Sequence, residues 1–278
     1  MTLRKALAEA RHRARSILSI NVFDYQTFRA LASSFQSVGR PVMAQFSAKF
    51  FDRTTPAEVV AWRKTVGTEI ALHLDHCNSV ELLIQCTQAG FDSVMYDGSS
   101  LPLKDNIRQT LEAKGAIKQV NPDVLFEAEV GHVAGVEDGF GAETGGESTR
   151  LEDVLEFFRE VEPDLLAVGF GNMHGHYKGT EKFDLELMEA VHRSLPDVLK
   201  VLHGGSGMSL SIVEKLVGWG HCKINISSDL KSFWLETSRQ ILNDPRDSSS
   251  PIAATQEMDR RLLVFFKELQ EKYKSCLL

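Results

Sequence analysis

Eight short apolar runs, each followed by a longer stretch of helical period, constrain this chain more than any other feature. The runs are SILSINVF (16–23), PVMAQFS (41–47), EIALHLDH (69–76), SVMYDGS (93–99), VLFEAEVG (124–131), LLAVGFG (165–171), LKVLHGG (199–205) and CKINISS (222–228). Their length and their apolar, β-branched content are those of strands covered on both faces. The patterns between them predict helices at Tyr25–Val38, Ser79–Ala89, Leu101–Lys114, Leu151–Val161, Leu185–Ser194 and Ser209–Gly218, with Asn78 and Ser209 as caps. Eight strands alternating with helices predict an α/β protein, a single parallel (β/α)8 TIM barrel over residues 1–278. The competing doubly wound sheet has a glycine-rich turn after its first strand, and NVFDYQTF contains no glycine.

Composition narrows the class further. With 43% hydrophobic and 25% charged residues the chain is that of a soluble protein with a substantial core. Its net charge of −7 speaks against nucleic acid or a membrane surface as partner. No apolar run approaches the roughly 18 residues of a membrane span. The cysteines (77, 86, 222 and 276) are dispersed without a CxxC pair, which predicts a reducing compartment and a cytoplasmic location. The basic segment MTLRKALAEARHRARSIL includes Glu9 and leads into the first run, so it reads as a helix of the domain rather than a transit peptide.

One connection departs from the alternation. The glycine-rich, acidic segment at about 132–149 follows the fifth strand and is predicted to be a lid over the active face. A helical extension is expected from about residue 228, with DPRDSSSP (244–251) ahead of a final charged helix.

Buried strands end in turns, yet these end in chemistry. The third ends in Asp75-His76, the fourth in Asp97, the seventh in His203 and the eighth in Asn225, while the sixth runs into His174. The fifth carries Glu127 and Glu129. In a barrel all these ends meet at one mouth. Three imidazoles from separate strands match a catalytic zinc site, which leaves a coordination position open. His176 rivals His174, since alternate residues of an extended chain share a face. An HGH pair also occurs in barrel-fold zinc hydrolases, but there it ends the first strand, whereas here it follows the sixth. His73 reads as a packed barrel residue, and His12, His132, His192 and His221 are assigned no role. HGGSG (203–207) and SSD (227–229) lie between strand ends and helices, where backbone amides with Ser206 and Ser228 form an anion cradle. Lys178 is placed to help hold the anion.

The ordered motifs ALHLDH, VMYDGS, EAEVG…GVED, GNMHGHYK, LHGGSG and KINISSD, between about Ile20 and Leu230, resemble the class II, metal-dependent ketose-bisphosphate aldolases. The resemblance implies a TIM barrel with Zn²⁺ on His76, His174 and His203. It implies reversible cleavage of a ketose phosphate to dihydroxyacetone phosphate and an aldehyde through a zinc-stabilised enediolate. Glu137 then matches the base that takes the carbon-bound proton, and Asp75 the acid that protonates the aldehyde oxygen. Asn21, Ser47 and Asn225 resemble substrate binders, and Gly175, Gly204, Ser206, Ser227 and Ser228 the phosphate cradle. Asp97 and Glu129 resemble carboxylates that orient a ligand histidine or hold a second metal. A monovalent cation (Na⁺ or K⁺) near Gly175 and Gly204 and a homodimer or homotetramer are also implied. The alternative is a catalytically silent sugar-phosphate-binding homologue with a regulatory role, against which Asp75, Glu137 and the three histidines speak.

The chain departs from the family pattern at several places. Ala134 stands where the lid commonly has a second glycine, Tyr96 where an aliphatic residue is usual, and His176 where a small apolar one is. Short members place an arginine just after a proline in the last helix, to reach the distal phosphate from a neighbouring subunit. In SSSPIAATQEMDRRLL the simplest register puts Ala253 there, unless Arg260 or Arg261 takes its place. Fructose 1,6-bisphosphate is therefore expected to be handled poorly beside a ketose 1-phosphate or an unusual aldehyde acceptor.

Overall fold

The computed structural model describes residues 2–67, 69–131, 133, 135–137, 140–142, 149–175, 177 and 183–278, with backbone alone at 135–137 and 140–142. In chain order the elements are α1 (Leu3–His12), β1 (Ile17–Asn21), α2 (Tyr25–Gln36), β2 (Val42–Ser47), a 3-10 turn (Ala48–Asp52), α3 (Pro56–Val66), β3 (Ala71–Cys77), α4 (Val80–Ala89), β4 (Ser93–Tyr96), α5 (Leu103–Val120) and β5 (Leu125–Val130). There follow β6 (Gly135–Glu137), β7 (Phe140–Ala142), α6 (Leu151–Val161), β8 (Leu165–Val168), α7 (Leu185–Ser194), β9 (Lys200–Leu202), α8 (Leu210–Gly218), β10 (His221–Ile226), α9 (Ser228–Asn243) and α10 (Pro251–Lys272). The strands β1, β10, β9, β8, β5, β4, β3 and β2 close in that order into a parallel barrel, the predicted (β/α)8 fold.

Each of the eight apolar runs supplies one barrel strand, and the differences lie between them. Helix α3 was not among the predicted helices, although Thr55 and Glu58 form a capping box at its start, with the Thr55 amide donating to Glu58 Oε2 at 2.6 Å. Helix α5 runs on through Gly115 to Val120, because Ala113 and Ile117 keep its buried stripe continuous. The cap of α4 is Ser79 rather than Asn78: its hydroxyl accepts from the Leu82 amide. Ser209 sits at the N-cap of α8 without capping it, its hydroxyl lying 3.3 Å from that of Ser211. Within the expected lid, β6 and β7 pair as an antiparallel hairpin, and the rest of the segment lies largely outside the described residues. Helix α10 packs on α2, and beyond it the buried Tyr273 hydroxyl donates to the Gly205 carbonyl at 3.1 Å. Among the described residues, no helix is long and apolar enough to cross a membrane.

Period-two alternation separates two layers. Leu72 and Leu74, Phe126 and Ala128, and Ile224 and Ile226 face the helices and build the larger core. The opposite faces point into the barrel. At its lower end Ile17, Met43, Leu125, Leu165 and Val201 pack on Leu7 and Ala10 of α1, which plugs the opening. Further along the same strands the inward residues turn polar: Ser19, Gln45, His73, Glu127 and Lys223, then Asn21, Asp75, Glu129 and Asn225, all buried.

His221 opens β10 fully buried, with Nδ1 at 2.8 Å from the Leu216 carbonyl. Burial, reinforced by Lys200, pushes its imidazole down to about 3. The unfolded chain takes up this proton near pH 6.5 and the native one does not, so stability is full above that pH and falls below it. The slope is about 1.4 kcal/mol per pH unit, or roughly 2 kcal/mol between pH 6.5 and 5. His221→Met should be less sensitive to acid by that amount in urea unfolding at pH 7.5 and 5.0. An unchanged pH difference would remove His221 as the cause.

Candidate active site

Three strand ends bring the predicted histidines together. His76 stands in β3, His174 follows β8 and His203 follows β9, all buried. The ring centroids of His76 lie 4.9 Å from His174 and 4.6 Å from His203. One nitrogen from each of the three falls within a 4.8 Å group. His76 has a positive φ of 42°, rare for a residue with a Cβ, which re-aims its side chain at the strand end.

Carboxylates fix the rings. Asp97 Oδ2 lies 2.7 Å from His76 Nδ1, and Glu127 Oε1 lies 2.9 Å from His203 Nε2. A carboxylate at one ring nitrogen holds the proton there and leaves the other as a lone pair. The nitrogens so released, His76 Nε2 and His203 Nδ1, are buried without a hydrogen-bond partner. Glu129 Oε2 approaches His203 Nδ1 to 2.8 Å, but at an angle that makes no hydrogen bond, so it too keeps an unspent lone pair. Such orphaned groups cost about 1–3 kcal/mol each. A divalent cation among them satisfies all three, so the donor set fits a metal.

The same contacts govern protonation when no cation is bound. At His76 burial pushes the imidazole down, but Asp75, Asp97 and Glu129 outweigh it and raise it well above the ordinary value. The hydrogen bond to Glu127 and the neighbouring Glu129 carboxylate likewise outweigh burial and carry His203 to about 9. Burial would raise Asp97, but its bond to His76 and the charge there hold it well below the usual carboxylate range.

Beneath this centre lies a second gathering, His73, Asp75 and Glu127. The ammonium of Lys223 sits in it, 2.7 Å from Glu127 Oε2 and 3.1 Å from His73 Nε2. Lys223 and His73 overcome the burial of Glu127 and hold it at about 2. His73 stays neutral, pushed down by burial and Lys223, with Nδ1 at 2.6 Å from Ser93 Oγ.

Asp75 is gripped by amides from three strands. Asn225 Nδ2 donates to Oδ1 at 3.1 Å, and Gln45 Nε2 and Asn21 Nδ2 donate to Oδ2 at 3.1 and 3.4 Å. Burial opposes its charge, but His76, His73 and Lys223 prevail and keep it well below the usual range. The buried carbonyl oxygens Gln45 Oε1 and Asn225 Oδ1 are without hydrogen-bond partners. Ser47 ends β2 beside Asp75 in the sheet register.

The residues expected to cradle phosphate lie on the loops that follow β8, β9 and β10, with Ser206 already engaged. Ser206 Oγ accepts from the amides of Ser227 and Asp229 at 3.1 and 3.3 Å, so it ties the β9 loop to the start of α9 and uses amides that an anion was expected to meet. Ser227 Oγ is buried without a partner, Ser228 opens the helix, and Gly175 faces open space. At Gly204 a Cβ would come within 2.2 Å of the Met173 carbonyl, so only glycine lets the two loops approach. The Gly204 carbonyl accepts from Tyr177 at 2.8 Å. Glu137 lies on β6 with its side chain outside the description, and Lys178 and His176 lie outside the described residues. The sequence reading gave no role to Glu127, Lys223 or Gln45, although alternation in EAEV already placed Glu127 on the face of Glu129.

A parallel barrel with buried histidines and carboxylates at the C-terminal ends of its strands defines a candidate metal-dependent barrel enzyme. Comparison with known proteins gives the particular family. The class II fructose-bisphosphate aldolase family matches residues 1–275. A 6-phospho-5-dehydro-2-deoxy-D-gluconate aldolase from Bacillus velezensis is 34% identical, covering 94% of this chain and 93% of its own. A fructose-bisphosphate aldolase from Mycoplasma pneumoniae is 32% identical over 89% of this chain and 86% of its own. In fold, a Coccidioides immitis protein described as a candidate fructose-1,6-biphosphate aldolase superposes with a TM-score of 0.86 at 24% identity, covering 99% and 96% of the two chains. The chain belongs to the class II fructose-bisphosphate aldolase family, and as a class II aldolase it is a carbon–carbon lyase.

Proposed function

We propose that this protein is a zinc-dependent aldolase that reversibly splits a ketose phosphate into dihydroxyacetone phosphate and an aldehyde. The observation that carries the reading is the convergence of His76 Nε2, His203 Nδ1 and Glu129 Oε2, buried and unpartnered, with His174 beside them. His76, His174 and His203 hold the Zn²⁺, which when bound supplies a Lewis acid for the substrate carbonyl. Three imidazole nitrogens suit zinc better than calcium or magnesium.

Asp75 is the proton carrier at the aldehyde oxygen. Its carboxylate, kept ionised by its surroundings, accepts the hydroxyl proton during cleavage and returns it during condensation. The amides of Asn21, Gln45 and Asn225 aim it, and the free carbonyls of Gln45 and Asn225 accept substrate hydroxyls. Glu137, carried on the lid hairpin, moves the carbon-bound proton of dihydroxyacetone phosphate. Gly175, Gly204, Ser206, Ser227 and Ser228 receive the phosphate at the N-terminus of α9, with Lys178 nearby in sequence. A monovalent cation at the glycine carbonyls and a homodimer or homotetramer complete the reading. The listening post of a silent sugar-phosphate binder would have no use for a carboxylate held by three amides, so the enzymatic reading is preferred.

Two variants divide the labour. Glu137→Ala should abolish exchange of the carbon-bound proton of dihydroxyacetone phosphate with solvent. Asp75→Ala should retain part of that exchange while condensation drops about 10²- to 10⁴-fold. Normal exchange in Glu137→Ala, or normal condensation in Asp75→Ala, would overturn these roles.

A further inference from the structure

The position in the last helix expected to carry an arginine for the far end of the substrate holds Ala253. Ala253 lies in the first turn of α10, its amide donating to the Ser250 hydroxyl. Arg260 and Arg261 are both committed to Glu257, at 2.7 and 2.6 Å. Positive charge is instead gathered at another part of the mouth. A cavity of about 580 Å³ is lined by Asn21 and Ser47 from the ends of β1 and β2, by Lys49 and Arg53 from the turn that follows, and by Lys231 from α9. Its one carboxylate, Asp24, is engaged in capping α2, accepting from the Thr27 amide and hydroxyl at 2.7 and 2.8 Å. Among the described residues, neither Lys49 nor Arg53 forms an ion pair.

Position gives this charge a use. Asn21 both lines the cavity and donates to Asp75, the group assigned to the aldehyde oxygen. An aldehyde whose oxygen meets Asp75 therefore directs its remaining carbons past Asn21 and Ser47 toward Lys49 and Arg53. The volume leaves room for a chain of a few carbons. The guanidinium of Arg53 is a planar fork that pairs with two oxygens of one anion, and Lys49 adds a point charge.

We propose that Arg53 and Lys49 form the subsite that selects the aldehyde half of the substrate, and that this half ends in an anion: a carboxylate, sulfonate or phosphate. The charge missing at Ala253 is thus supplied within the same chain, which revises the expectation that a second anionic group is disfavoured. This inference rests on the aldolase reading, and the experiment keeps the two apart.

Zinc-loaded full-length protein and its Arg53→Ala variant are given dihydroxyacetone phosphate with glyceraldehyde, succinic semialdehyde or glyceraldehyde 3-phosphate. The unaltered chain should favour at least one anionic aldehyde over glyceraldehyde by about ten- to a hundredfold in kcat/KM. In Arg53→Ala that ratio should fall toward one, through a higher KM for the anionic aldehyde, and the arm most affected distinguishes carboxylate from phosphate. Equal ratios in both proteins, or no preference in the unaltered chain, overturn the subsite while proton exchange into dihydroxyacetone phosphate still supports the aldolase. If that exchange is absent the aldolase reading fails, and calorimetry decides the subsite. Fructose 1,6-bisphosphate binding tenfold or more tighter than fructose 1-phosphate, with the difference lost in Arg53→Ala, upholds it; equal affinities end it.

Discussion

His203→Ala should leave the protein without its metal and lower aldolase turnover by about a thousandfold or more, because a Lewis acid contributes several kcal/mol to such a reaction. Chelation should silence the parent protein, with Zn²⁺ or Co²⁺ restoring it, and the same ions should not rescue His203→Ala or His76→Ala. His174→Ala should behave likewise, whereas His176→Ala should keep its metal. Glu127→Gln, which loosens the carboxylate at His203 Nε2, should weaken metal affinity about ten- to a hundredfold. The proton that His203 holds up to about pH 9 must leave when the metal enters, so affinity should rise with pH until then. Full metal content in His203→Ala by elemental analysis would discard this ligand set.

The second large effect is on stability. Lys223→Met should destabilise the metal-free protein by about 3–5 kcal/mol, because it strands the Glu127 carboxylate in the barrel without its ammonium partner. Both side chains of the pair are fully buried, so water cannot screen the loss. Adding Glu127→Gln to Lys223→Met should recover part of that cost, since an amide needs no counter-charge. Urea unfolding of the two variants and the parent measures this coupling. A Lys223→Met protein within 1 kcal/mol of its parent would show that the pair contributes little.

What was legible in the sequence follows from what a residue's neighbours along the chain already determine. The strands were readable because a strand buried on both faces is apolar throughout. The ends of β3 and β9 betrayed themselves because Asp75-His76 and His203 interrupt such runs. Helix α3 is absent from the predicted helices although the Thr55–Glu58 capping box announces it, and the helix expected to end at Lys114 runs on through Gly115 to Val120 because its buried stripe continues. Glu127 and Lys223 were harder. Their partners lie 76 and 96 residues away in the chain, and only closure of the barrel turns a glutamate into the brace of one histidine and a lysine into the counter-charge of that glutamate. The engagement of Ser206 with the start of α9 was hidden for the same reason. The distal cations were visible as letters, but nothing in the linear text says that Arg53 and Asn21 share a cavity.

The change from apolar to polar along each inward strand face divides the consequences of mutation by height in the barrel. In β5, Leu125 belongs to the plug, Glu127 to the buried charge layer and Glu129 to the histidine cluster at the mouth, all within five residues of one face. Damage at the first position should lower how much folded protein a cell retains, and damage at the last should spare abundance and weaken the proposed reaction. Exchanges among the loop residues at the mouth should therefore leave the reserves that keep the barrel closed untouched.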